Sequence, residues 1–168
     1  MQEFNYFKVD GDKKKEGVWI DHPSGKFLVG SPDPMDVTQA LEREIRKIQK
    51  KHTTSKDPTG KKYQLKQSEQ MMCNAIVIAE LQLLGWEIEG VEYTKERAID
   101  ALISDREYTD YLESKEPELD EDGEEIKYQS LMSFVNEQSN NLSNYEKEER
   151  EENVKKSPAS SSGEIKQS

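Results

Sequence analysis

The sequence predicts an α+β fold that is mainly α-helical: an N-terminal β-hairpin, a small helical core and a disordered C-terminal tail. Turn formers split an apolar stretch near the N-terminus into two short strands. Apolar residues then recur at helical spacing in several later segments, and this pattern stops after Tyr145. The size of the core follows from composition. Charged residues make up 35% of the 168 residues and apolar types only 32%, so the chain can bury one small core and leaves other segments solvated. A single domain over residues 16–145 is expected, preceded by a loose N-terminus (1–15) and followed by a charged, Ser-rich tail (146–168).

In chain order, Val18-Trp19-Ile20 leads into Asp21-His22-Pro23-Ser24-Gly25, a cluster of turn formers, and Lys26-Phe27-Leu28-Val29 makes the return strand. Pro23 cannot donate to a ladder and places the break. Asp33 suits an N-cap and Pro34 a first helical position. The helix they begin carries Val37, Leu41, Ile45 and Ile48 as one apolar stripe. Residues from His52 to Lys62 read as a mobile basic loop. A helix from about Lys66 to Leu84 is apolar nearly all round in its middle and is expected at the centre of the core. Gly85 is read as its C-terminal cap, with Trp86 just beyond. Trp86, Ile76, Leu83 and Leu102 are expected to be buried.

Ile88, Val91 and Tyr93 alternate around Gly90, and Thr94 suits the cap of a helix carrying Ala98, Ala101 and Leu102. Asp105 can cap a further short helix bearing Tyr108, Tyr111 and Leu112. The segment from Glu116 to Glu125, with Pro117 and Gly123, cannot be a helix interior. A last helix is expected from near Lys127, with Leu131, Phe134, Val135, Leu142 and Tyr145 along one side.

The formal charge of −11 is unevenly spread. From Glu42 to Lys66 nine bases meet three acids; from Asp105 to Glu125 eleven acids meet Arg106 and Lys115. Acidity overall argues against general binding to nucleic acid or anionic membrane, both of which need basic surface. The longest apolar stretch, Ala75 to Ala79, is far short of a bilayer span of about 20 residues, and no secretory leader pattern opens the chain. The single cysteine, Cys73, cannot form an internal disulfide. These features fit a small acidic protein of a reducing cytoplasm.

Catalytic and metal chemistry find little support. His22, His52 and Cys73 lack ligand spacing, and Asp120-Glu121-Asp122-Gly123 lacks the ligand alternation of a calcium loop. Cys73 reads as a small core thiol. No nucleophile elbow or phosphate-cradling glycine loop occurs. No enzyme activity, cofactor or metal is expected. Binding is expected on exposed patches: the basic helix (Arg43, Arg46, Lys47, Lys50) and one face of the last helix (Phe134, Leu142, Tyr145).

The order of these features resembles the tail assembly chaperones of long-tailed bacteriophages. The resemblance is carried by the hairpin Gly17-Val18-Trp19-Ile20 … Gly25-Lys26-Phe27-Leu28-Val29, the basic amphipathic helix from Pro34 to Lys51, the aliphatic helix ending in Leu84-Gly85-Trp86, and Glu89-Gly90-Val91-Glu92-Tyr93-Thr94-Lys95-Glu96 leading into a helix. It covers about Glu16 to Tyr145. Its most diagnostic part runs from Trp86 to Leu102; the acidic stretch from Glu116 to Glu125 is longer than the family pattern. The resemblance implies a non-enzymatic protein that binds the tape measure protein and recruits the major tail tube protein, with possible self-association. It further implies action in the host cytoplasm and absence from the mature virion. In many such systems a ribosomal frameshift near the 3′ end makes a longer form, and Val154-Lys155-Lys156 can be encoded on a slippery run. The alternative is a structural or adaptor protein retained in a virion or host complex.

Overall fold

A computed structural model describes residues 8–52, 63–113 and 115–147 of the chain. The fold is α+β and mainly helical. In chain order it comprises α1 (Gly11–Glu16), β1 (Val18–His22), β2 (Gly25–Val29), α2 (Pro34–His52), α3 (Gln67–Leu81), β3 (Leu83–Glu87), α4 (Lys95–Glu113) and α5 (Leu131–Asn140), then a 3-10 turn over Leu142–Tyr145. The strands form one antiparallel sheet in the order β1-β2-β3.

The hairpin lies where its turn chemistry predicts it. Pro23 and Ser24 are the two turn residues, and the register runs from Val18 opposite Val29 to His22 opposite Gly25. The His22 ring caps the turn, its Nδ1 accepting from the Ser24 amide at 3.1 Å. Strand periodicity sends Phe27 and Val29 to the core and Lys26 and Leu28 to the opposite face.

The third strand departs from expectation. The helix predicted to reach Leu84 ends at Leu81, and Leu83–Glu87 pairs with β2, placing Phe27 opposite Trp86 and Leu28 opposite Gly85. Gly85 is thus a strand residue rather than a helix cap. Leu83 and Trp86 face inward from this strand, so their expected burial holds, as does that of Leu102; Ile76 is only half-buried. The indole Nε1–H of Trp86 donates to the Val91 carbonyl at 2.9 Å, and its ring meets Phe27 and Tyr93 edge-on. Gly90, at φ 75°, makes the turn that brings Val91 back to the indole, a backbone geometry that side chains disfavour.

Around the sheet, α3 occupies the centre and packs against α2, α4, α5 and β3. Thr94 caps α4 as expected, its Oγ1 accepting from the Arg97 amide at 3.1 Å. Asp105 begins no new helix, because α4 continues through it to Glu113. Its carboxylate instead accepts from the Leu131 amide and caps α5 from across the core. That helix starts at Leu131, later than the expected Lys127, with Ser130 as its own cap.

The N-terminal expectation of looseness through residue 15 also gives way. Asp10 caps α1, and Val9 bridges Glu146. Residues 1–7, the loop residues 53–62 and the tail from residue 148 lie outside the described residues, as do the side chains of Tyr108, Tyr111 and Leu112. Between Glu116 and Glu125 the chain turns back on itself without helix, as expected: Asp120 N–H donates to Glu124 O and Ile126 N–H to Glu118 O, each at 2.8 Å.

Two outcomes follow. Trp86→Ala, which removes a large buried ring and an indole hydrogen bond, should destabilise the protein by about 3–5 kcal/mol, measured by urea unfolding. His22 titrates below its ordinary value because burial against Phe27 and Phe134 disfavours the imidazolium, a tendency only partly opposed by the nearby Asp105 carboxylate. The folded state then binds fewer protons at this site than the unfolded chain. Its contribution is present above the ordinary His value and is lost as pH falls through the lowered one. His22→Asn, which retains an acceptor for Ser24, should lose less stability than the parent between pH 7 and pH 5 in thermal melts. Equal slopes would remove His22 as the cause.

Candidate partner-binding surface

The second half of α2 carries Arg43, Arg46, Lys47 and Lys50 at spacings that place them on one exposed flank. Together with Gln39 and Glu42 they line a shallow groove of about 430 Å³. The expected basic patch is therefore one continuous surface.

Arg43, Arg46 and Lys47 of this flank pair with acids. Glu44, one of the two buried residues of α2, faces inward beside Ala40. Its Oε1 accepts from Arg43 Nε at 3.1 Å and from Lys47 Nζ at 2.9 Å. Arg43 also reaches across to α3, donating from Nη2 to Glu80 Oε2 at 2.6 Å. Arg46 pairs with Glu42 one turn earlier at 3.3 Å, and Lys95 of α4 approaches Glu80 at 3.9 Å. Glu44 and Glu80 thus pair with Arg43 and Lys47, whose side chains stay 47% and 61% exposed. Burial alone would raise the Glu44 carboxyl, but the hydrogen bonds from Lys47 and Arg43 outweigh it and hold the group below its usual value of 4.5.

The apolar stripe beneath this flank is incompletely covered. Val37, Leu41, Ile45 and Ile48 are all half-buried, since α2 rests on α3 at the edge of the fold. Exposed guanidinium and ammonium groups beside half-open aliphatic side chains suit an amphipathic protein surface with acidic groups at its margin.

The second expected patch is corrected. Phe134 is buried between Phe27 and His22. Tyr145 is fully buried, and its hydroxyl donates to the Val29 carbonyl at 3.0 Å; burial pushes its pKa up to about 12. Both are core residues. A polar hydroxyl tolerates such burial only because a backbone acceptor waits for it. Leu142 is exposed, but it sits in the 3-10 turn after α5 and not on a shared helical face. Sequence reasoning passed over the acids that organise the basic flank. The three-residue spacing of Glu44 and Lys47 was available as a signal; Glu80 lies on another helix and gave none.

Cys73 is buried, and burial, reinforced by Glu44 and Glu69, pushes its thiol up, away from the reactive thiolate. Among the described residues no cluster of three or more His, Cys, Asp or Glu side chains could hold a metal ion. No helix among them is long and apolar enough to cross a membrane. Compared with protein-family models, curated proteins and solved structures, the chain matches none.

Glu44→Gln keeps the shape and removes the anion that organises the flank. It should lower stability at pH 7 by about 1 kcal/mol, because both cationic partners remain largely hydrated. The parent's advantage should be whole above the usual 4.5 and be lost as pH falls from there through the lowered value, since the depressed carboxyl stabilises only while ionised. Paired chemical denaturation at pH 7 and pH 3.5 measures both.

Proposed function

We propose that this protein is a non-enzymatic tail assembly chaperone of a long-tailed bacteriophage, which binds the tape measure protein and recruits tail tube subunits in the host cytoplasm before leaving the particle. The observation that carries the reading is the ordered basic flank of α2, displayed on the edge helix of an otherwise acidic protein. It is supported by the sequence resemblance from Glu16 to Tyr145, in particular the Trp86 to Leu102 segment. A peripheral helix with half-covered aliphatic side chains can release a client more readily than a deep pocket would. Its salt-sensitive contacts favour fast encounter over permanent attachment.

The test is co-expression with the tape measure and tail tube proteins of the same phage, followed by affinity capture over a salt series. Reversing Arg46, Lys47 and Lys50 to glutamate should reduce captured tail protein at low salt at least tenfold and flatten the salt dependence. Unchanged capture by the folded variant would reject the basic flank. Presence of the protein in purified particles would favour a retained structural component instead.

A further inference from the structure

The sheet has two edges, and the fold treats them differently. At β3 the Tyr93 hydroxyl donates to the Leu83 carbonyl at 2.8 Å, and the turn through Gly90 carries Val91 and Tyr93 back onto Trp86. Among the described residues no comparable cover lies along β1. The two-residue turn makes His22 and Gly25 a hydrogen-bonded pair, and alternation makes Ile20–Phe27 and Val18–Val29 the next such pairs. The amide and carbonyl groups of Trp19 and Asp21 therefore point away from β2, and among the described residues they have no backbone partner. Strand β1 contains no lysine and no proline, two common means of closing an edge.

The side chains along this edge are equally unfinished. Trp19 is 49% exposed on the face of the sheet opposite the core, in a row with Leu28 and Gly85. The neighbouring row on that face alternates in charge: Asp21 opposite Lys26, and Lys26 opposite Glu87. Each row stops at β1. One more strand would extend the first with an apolar side chain beside Trp19 and the second with a cation beside Asp21.

We propose that the free edge of β1 is a docking site for an extended segment of a partner protein. The segment adds as an antiparallel fourth strand and carries a basic residue opposite Asp21, then apolar residues opposite Ile20 and Trp19. Lys26-Phe27-Leu28 meets Asp21, Ile20 and Trp19 in this order on the other side of β1, so the required pattern is one that the strand already accepts. A second copy of β1 is a poorer occupant: it brings no lysine or arginine to Asp21, and two chains of charge −11 repel. This inference stands apart from the chaperone reading and uses none of the α2 residues.

The probe is the peptide acetyl-Ser-Gly-Lys-Phe-Leu-Val-Gly-amide, the sequence of residues 24–30, titrated into the full chain. Binding should be saturable, shift tryptophan emission to shorter wavelength and perturb the amide resonances of Trp19 and Asp21. Asp21→Pro removes only the outward amide and the carboxylate, leaving the β1–β2 ladder intact; it should weaken binding at least tenfold at unchanged secondary structure. Asp21→Asn should weaken it several-fold. Independently of any protein variant, N-methylation of the peptide's lysine and leucine should abolish binding, and glutamate in place of its lysine should weaken it at least fivefold. Equal binding by the N-methylated peptide, or absence of saturable binding at β1, would overturn the proposal. A dimer of the protein alone that Asp21→Pro dissolves would assign the edge to a second copy and likewise overturn it.

Discussion

The exit of β2, from Val29 to Ser31, is the point on which the other elements depend. Four hydrogen bonds converge on these three residues from four parts of the chain. The Tyr145 hydroxyl takes the Val29 carbonyl, and Ser139 Oγ takes the Gly30 carbonyl at 2.8 Å. The Gly30 amide donates to Gln82 O, and the Ser31 amide to Lys14 O, each at 2.8 Å. Any side chain at Gly30 would press on the carbonyls of Leu81 and Lys14 and on Leu84. Glycine lets the two backbones approach here without displacing them. A buried strand end must satisfy its polar groups internally, and here that need fixes where α1, α3, α5 and the last turn sit.

This arrangement also explains why α2 is free to serve as a surface. Leaving the junction at Ser31, the chain passes Pro32 and Asp33 into a 19-residue helix that contributes nothing to the convergence and rests on α3 alone among its larger contacts. Its anchors are a small residue, Ala40, and a carboxylate, Glu44, which is why so much of its aliphatic stripe stays open. The core and the exposed basic flank are therefore built from nearly separate sets of residues, and changes on the flank leave the strand junction untouched.

What the sequence disclosed and what it hid divide along physical lines. Local chemistry was legible: Pro23 at the hairpin turn, Thr94 capping α4, the aliphatic run of α3 at the centre, and the acidic stretch around Gly123 that admits no helix. The change from α3 to β3 was hidden because Leu83 and Leu84 continue the apolar run of the helix, and only pairing with β2 reveals a strand there. Asp105 looked like a local cap because its true partner, the Leu131 amide, lies 26 residues away. Phe134 and Tyr145 read as a surface stripe because helical periodicity identifies an apolar face without saying what covers it. For the basic flank, the cations were plain from charge and spacing, while the Glu80 link that orders Arg43 depends on a second helix. Trp19 could have been noticed: three consecutive apolar residues in a two-sided strand must send at least one outward.

The joining of the two ends of the body has a mechanical consequence. Asp10 N–H donates to Tyr145 O at 2.7 Å, and Lys147 N–H to Lys8 O at 2.8 Å, an antiparallel contact whose outermost members among the described residues are Lys8 and Lys147. Tension applied through the chain on either side of the body loads these bonds one after another, as a zipper, instead of sharing the load as in shear. After the two bonds part, the pull passes directly to Tyr145, whose ring is lodged under the end of β2. The fold therefore yields to traction from its ends in small steps, which end at the tyrosine that holds the strand junction closed.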